Sequence, residues 1–156
     1  MNILILGIGN PILTDDAVGI LVVRELGHVD ADVEEAAVGG LSLLDFICGY
    51  DTVIIVDAVK RGSKKGIEPG TVSILEEHQI KRALHASSTH DVSFSEAIEL
   101  GKALFPEEMP SEIIVVGIEV QDTETVSETP TEPVKRAIPE AAAVVRGLVQ
   151  KLRSRP

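Results

Sequence analysis

Aromatic side chains are almost missing from this sequence: no tryptophan, one tyrosine and three phenylalanines, 3% of 156 residues. That scarcity counts against a flavodoxin-like nucleotide or flavin module. Cysteine occurs once, at Cys48, so no internal disulfide can form and a reducing, cytoplasmic compartment is expected. Basic residues are also few, 14 Lys and Arg against 25 Asp and Glu, for a formal net charge of −11. Phosphate contacts need a basic face, so nucleic acid is not an expected partner. Long apolar runs are absent as well. Val53–Val56 is far short of the roughly 20 residues a membrane helix needs, and Met1–Gly9 carries no basic segment of a signal peptide. A soluble monomer without membrane contact is expected.

What the sequence does have is aliphatic residues, with 44% of the chain apolar, enough for one domain spanning residues 1–156 with its own core. Asn2–Ile8 is a continuous aliphatic run that predicts a strand buried on both faces. Asp15 and Asp16 open a helix whose apolar positions Val18, Val22, Val23 and Leu26 recur at helical spacing up to Gly27. Asp32–Val38 predicts a second strand, Leu41–Cys48 a short helix, and Thr52–Val59 a third strand with Asp57 near its end. The stretch after it, with Arg61, Gly62, Ser63, Lys64, Lys65, Gly66, Pro69 and Gly70, has no helical pattern. A parallel crossover usually needs a helix, so the fourth strand, Thr71–Leu75, is expected to run antiparallel to the third. Helices are predicted over Glu77–Leu84 and Val92–Phe105, a fifth strand over Glu112–Glu119, and a C-terminal helix over Glu132–Arg153 with a kink or restart at Pro139. The fold class is therefore α/β: a three-layer open twisted sheet of about five strands, mostly parallel with one antiparallel strand, and helices on both faces.

Three positions stand out chemically. Gly7-Ile8-Gly9-Asn10 invites a dinucleotide reading, but Ile12 occupies the third glycine position, and two carboxylates at the helix start would repel a pyrophosphate. One aspartate suffices to cap a helix, so Asp15 is assigned the cap and Asp16 is left for function. Asp57 ends an aliphatic strand, and ligands of open α/β sheets gather outside the carboxyl ends of the strands. It reads equally as a structural residue bonded to loop amides after Gly62. His90 lies in the loop Ser87-Ser88-Thr89-His90-Asp91 before a helix, whereas His78 and His85 read as ordinary loop residues. If the strands and helices alternate as predicted, Asp16, Asp57 and His90 meet at one edge, a donor set suited to nickel or zinc with positions left open for water or substrate. Cys48 sits in an apolar helix, the setting of an inert thiol. No Gly-x-Ser-x-Gly elbow and no His-Glu-x-x-His helix is present.

The spacing Gly7-x-Gly9-Asn10-x4-Asp15-Asp16-x2-Gly19 resembles the N-terminal signature of the hydrogenase maturation proteases. Gly40-Leu41, Val56-Asp57-Ala58, Pro69-Gly70, Ser88-Thr89-His90 and Val116-Gly117-Ile118-Glu119 follow in the same order, so the resemblance spans nearly the whole chain. It implies an endopeptidase that trims a C-terminal extension from a [NiFe]-hydrogenase large-subunit precursor after nickel insertion. It also implies that the nickel arrives with the substrate, so that purified enzyme is metal-free, and that Asp16, Asp57 and His90 contact the metal and act in catalysis. Asp16 departs from members with Glu there, and the Gln121–Pro130 loop lacks the aromatic residue common in that region. Water could be activated by a carboxylate acting as base or through polarisation of the carbonyl by the ion. A non-hydrolytic nickel-binding escort is the alternative, sharing the same three side chains.

Overall fold

The computed structural model describes residues 1–37, 39–61, 66–76 and 93–156. Its centre is a five-stranded sheet in the order β2-β1-β3-β5-β4, formed by β1 (Ile3–Ile8), β2 (Asp32–Ala36), β3 (Thr52–Val59), β4 (Val72–Glu76) and β5 (Glu112–Glu119). The four strands other than β4 run parallel, and β4 is antiparallel to β5. The predicted reversal of β4 relative to β3 is present, but the two are not neighbours. The longer β5 pairs along the whole of β3, from Thr52 opposite Glu112 to Val59 opposite Glu119, and leaves β4 the outer edge.

Both faces of the sheet are covered, which is why β1 and β3 are aliphatic without alternation. On one face Ile3, Ile5, Ile54, Val56, Val116 and Ile118 pack against α1 (Val18–Arg24) and the C-terminal helix α4 (Glu132–Arg153). On the other, Leu4, Leu6, Val53, Ile55 and Val115 meet Leu43 and Ile47 around α2 (Leu44–Ile47) and Phe94 and Ile98 of α3 (Phe94–Leu104). In α4 the buried positions Val134, Ala137, Ile138, Ala141, Ala142, Val145, Val149 and Leu152 form one stripe at helical spacing. Each fully buried Val, Ile or Leu contributes about 1.5–3 kcal/mol. The kink or restart expected at Pro139 does not divide the helix. Pro139 lies on the exposed side, and the helix is continuous through it. At α3 the boundary follows from chemistry: the Ser93 hydroxyl accepts from the Glu96 amide, and the Glu96 carboxylate accepts from the Ser93 amide.

Other predicted boundaries shift by a few residues. The second strand stops at Ala36, before Val38, and the Asp15–Asp16 segment is a tight 3₁₀ turn (Thr14–Ala17) leading into α1 rather than the first turn of the α-helix. The predicted helix over Glu77–Leu84 and the His85–Asp91 loop lie outside the described residues. Among the described residues no helix is long and apolar enough to cross a membrane.

Candidate functional site

Glycines set where the start of α1 can lie. A Cβ on Gly19 would stand 2.2 Å from the Val56 carbonyl oxygen and 2.4 Å from that of Ile8, so α1 rests directly on the ends of β1 and β3. A Cβ on Gly9 would fall 2.0 Å from the carbonyl oxygen of Asp16, and one on Gly7 would fall 2.5 Å from that of Gly19. These are main-chain contacts that no side chain could share. They bring the 3₁₀ turn holding Asp15 and Asp16 over the carboxyl end of β3, where Asp57 is located.

The two adjacent aspartates have separate roles, and the cap assigned to Asp15 is not what it does. Neither the 3₁₀ turn nor α1 has a side-chain cap. Asp15 is fully buried, and its carboxylate accepts from the amides of Gln121 (3.0 Å), Asp122 (2.9 Å) and Thr131 (2.7 Å) and from the Thr131 hydroxyl. It fastens the loop between β5 and α4 to the turn. The sequence reasoning missed this because the donors lie more than a hundred residues away. Thr14 takes part in the same junction. Its amide donates to the Ser127 carbonyl, its hydroxyl donates to the Thr125 carbonyl, and Leu13 bridges to Ser127. Thr14 is buried with φ +47°, a left-handed conformation that costs a β-branched residue about 1–2 kcal/mol.

Asp16 is left half-buried, with Oδ2 accepting from the Asn10 amide at 2.9 Å. Burial raises its pKa, partly offset by that amide. Asp57 is held higher, at about 8, first by burial and then by the negative charge of Asp16, with the Ala58 amide pulling the other way. Among the described residues Asp57 accepts from the Ala58 amide at 2.8 Å, against four donors at Asp15. With its value at about 8, Asp57 keeps its proton at neutral pH. A divalent ion would reverse that preference and let both ionise.

At the paired ends of β3 and β5 lies an acid matched with a cation. Glu119, 1% exposed, accepts from the Arg61 amide at 2.7 Å and from Arg61 Nε at 3.1 Å, while Arg61 Nη2 donates to Ser73 Oγ at 2.9 Å. This clamp ties the end of β3 to β4 and β5. Glu119 belongs to a segment marked in the sequence, but its partner Arg61 was read only as part of a loop.

The third predicted residue, His90, lies outside the described residues, as do His78, His85 and residues 62–65 of the loop after β3. Among the described residues no three His, Cys, Asp or Glu side chains gather as a metal site. Cys48 is half-buried just after α2, with its thiol pKa pushed up by burial and then by Glu108 and Asp45. A thiol so protected from ionising is a poor nucleophile, as expected.

A family model for hydrogenase maturation proteases matches residues 21–147. The chain is 33% identical over 124 residues to the Hydrogenase 2 maturation protease of Escherichia coli K12, spanning 76% of this chain and 73% of that protein. It is 29% identical over 160 residues to the hydrogenase expression/formation protein HupD of Rhizobium leguminosarum, spanning 98% and 75%. Among solved structures, the hydrogenase maturating endopeptidase HybD of E. coli superposes with a TM-score of 0.77 at 26% identity, over 97% of this chain and 93% of that one.

Proposed function

This chain belongs to the hydrogenase maturation protease family and is a peptidase, and from that premise we propose that it removes the C-terminal extension of a [NiFe]-hydrogenase large-subunit precursor once nickel is in place. The observation that carries the reading is the Asp16–Asp57 pair, two carboxyls at the carboxyl end of β3 with Asp57 held at about 8 by burial and by its neighbour. Without a cation the pair keeps a proton. A precursor that brings nickel supplies the charge that displaces this proton, so the two carboxylates grip substrate only when it is loaded. The site thereby serves as a checkpoint and fixes the scissile peptide at one place.

His90 is proposed as the third contact, on the strength of its place in the family signature. It stands three positions before Ser93, which caps α3. Asp16, Asp57 and His90 are thus the proposed recognition and catalytic residues, the nickel being substrate cargo and not a resident cofactor. The enzyme is proposed to work as a cytoplasmic monomer, in keeping with its single cysteine.

The test is to incubate the purified chain with nickel-loaded and nickel-free precursor and weigh the products by mass spectrometry. The loaded precursor is expected to lose its C-terminal peptide and the nickel-free one to stay whole. Folded Asp16→Ala, Asp57→Ala and His90→Ala proteins are expected to leave both uncut. Trimming at equal rates with and without nickel would sink the checkpoint, and normal trimming by the variants would sink the site.

A further inference from the structure

We infer that Asp15 is a positioning residue for cleavage: it latches the 121–131 loop to the Asp16 turn, making that loop a fixed wall of the substrate site. The inference rests on the function proposed above but uses a residue to which that function gives no role.

Three observations carry it. First, the Asp15 carboxylate is fully buried, and its acceptor capacity is spent on a distant segment, the amides of Gln121, Asp122 and Thr131 and the Thr131 hydroxyl. A fully buried carboxyl held by four donors is a firmer tie than an ordinary turn contact, because its bonds are shielded from water. Second, both latched residues give up ordinary duties. Thr131 occupies the N-cap of α4 yet caps nothing with its side chain, its hydroxyl being turned to Asp15. Asp15, in the 3₁₀ turn before α1, likewise caps neither that turn nor the helix. Third, the neighbouring residue is strained, and the strain is held by the same loop. Thr14 keeps φ +47° while bonded to the Ser127 and Thr125 carbonyls. A local outlier of this kind persists only when its surroundings over-determine it.

The geometry has a direct consequence for Asp16. Asp16 lies two residues after Thr14, which the loop holds in an unfavourable conformation, so releasing the loop is expected to let Thr14 relax and to loosen the orientation of the Asp16 side chain. The loop also brings the exposed Ile12 and Val126 together, one residue before the Leu13–Ser127 bridge. A peptide bound against the loop would meet this pair, so a loosened latch weakens substrate binding as well as turnover.

The experiment uses full-length Asp15→Asn and Thr131→Val proteins with nickel-loaded precursor, together with amide hydrogen exchange on the free proteins. Asp15→Asn replaces one acceptor oxygen with a donor facing an N–H group. The expected result is loss of exchange protection at Gln121, Asp122 and Thr131 with β1, β3 and β5 still protected. Along with it, kcat/KM falls about tenfold and KM rises about threefold or more. Thr131→Val keeps the amide bond and loses only the hydroxyl, so it is expected to show a smaller loss of the same kind. A KM equal to wild type, with kcat reduced only by the unfolded fraction, would reduce Asp15 to a stabilising role and overturn the inference. If Asp15→Asn does not fold, Thr131→Val decides by the same criteria. Wild-type protein that fails to cut nickel-loaded precursor would overturn the proposed function itself and the latch's role with it. Wild type that cuts, alongside variants that cut equally well, would overturn the latch alone.

Discussion

Asp15 and Asp16 are chemically identical neighbours in one turn, yet the protein treats them in opposite ways. Asp15 is buried more deeply, but it is surrounded by N–H and O–H donors that replace the water it lost. Asp16 is less buried and has one amide to hold it, and it faces a second acid. Depth of burial thus says little about how a carboxyl is used in the fold; the donors around it say more. Glu119 makes the same point from β5, since its 1% exposure is matched by the Arg61 guanidinium and amide. Among the described residues, the acids ringed by donors tie distant segments together, whereas Asp16 and Asp57 each accept from one amide.

The sharpest way to break this contrast is Asp57→Asn. Cleavage is expected to fall by about a hundredfold or more, as for loss of a group that handles protons or charge at the reacting bond. Stability is expected to move the other way. The folded-state value of about 8 lies above the ordinary carboxyl value of 3.8. Below the lower value Asp57 is neutral in both states and carries no penalty. As pH climbs toward 8 the unfolded chain ionises while the folded one resists, so wild-type stability declines across that window. The amide keeps the acceptor for Ala58 without the charge. Asp57→Asn should therefore melt at least about 3 °C higher than wild type near neutral pH, the gain shrinking toward pH about 4. A variant that melts lower at neutral pH would mean Asp57 is satisfied after all.

A smaller effect sharpens the same comparison from the other partner. In Asp16→Asn the titration of Asp57, followed by carboxyl-carbon NMR, is expected to shift down from about 8 yet stay above the ordinary range, because burial is the larger cause and Asp16 the second. An unmoved midpoint would show that the two side chains do not sense each other. The smallest effect belongs to Cys48→Ser, which should leave precursor cleavage within about twofold of wild type, since the half-buried, un-ionised thiol has no part in the site. A large loss there would reopen cysteine chemistry.

Much of this was legible in the sequence because it depends on local pattern. Uninterrupted aliphatic runs marked β1 and β3 as buried on both faces, and a loop too irregular for a crossover helix marked β4 as reversed. Asp16 and Asp57 were singled out because glycine spacing and strand ends are short-range signals, and the positions of both at the end of β3 follow from those signals. What escaped is long-range. That β5 comes between β3 and β4 is decided by competition among strands for one edge. That Asp15 serves the far loop and not its own helix is decided by tertiary contacts over more than a hundred residues. Arg61 was passed over for the same reason, since its partners are on β4 and β5.

The close seating of Gly19 on Val56 and Ile8 carries one more implication. Because main chain touches main chain, the distance from the turn to β3 is a fixed ruler that side-chain length does not alter. Exchanging Asp16 for Glu would extend only the reach of the carboxylate, leaving its mounting where it is. The placing of this acid can in this way change without redesigning the scaffold beneath it.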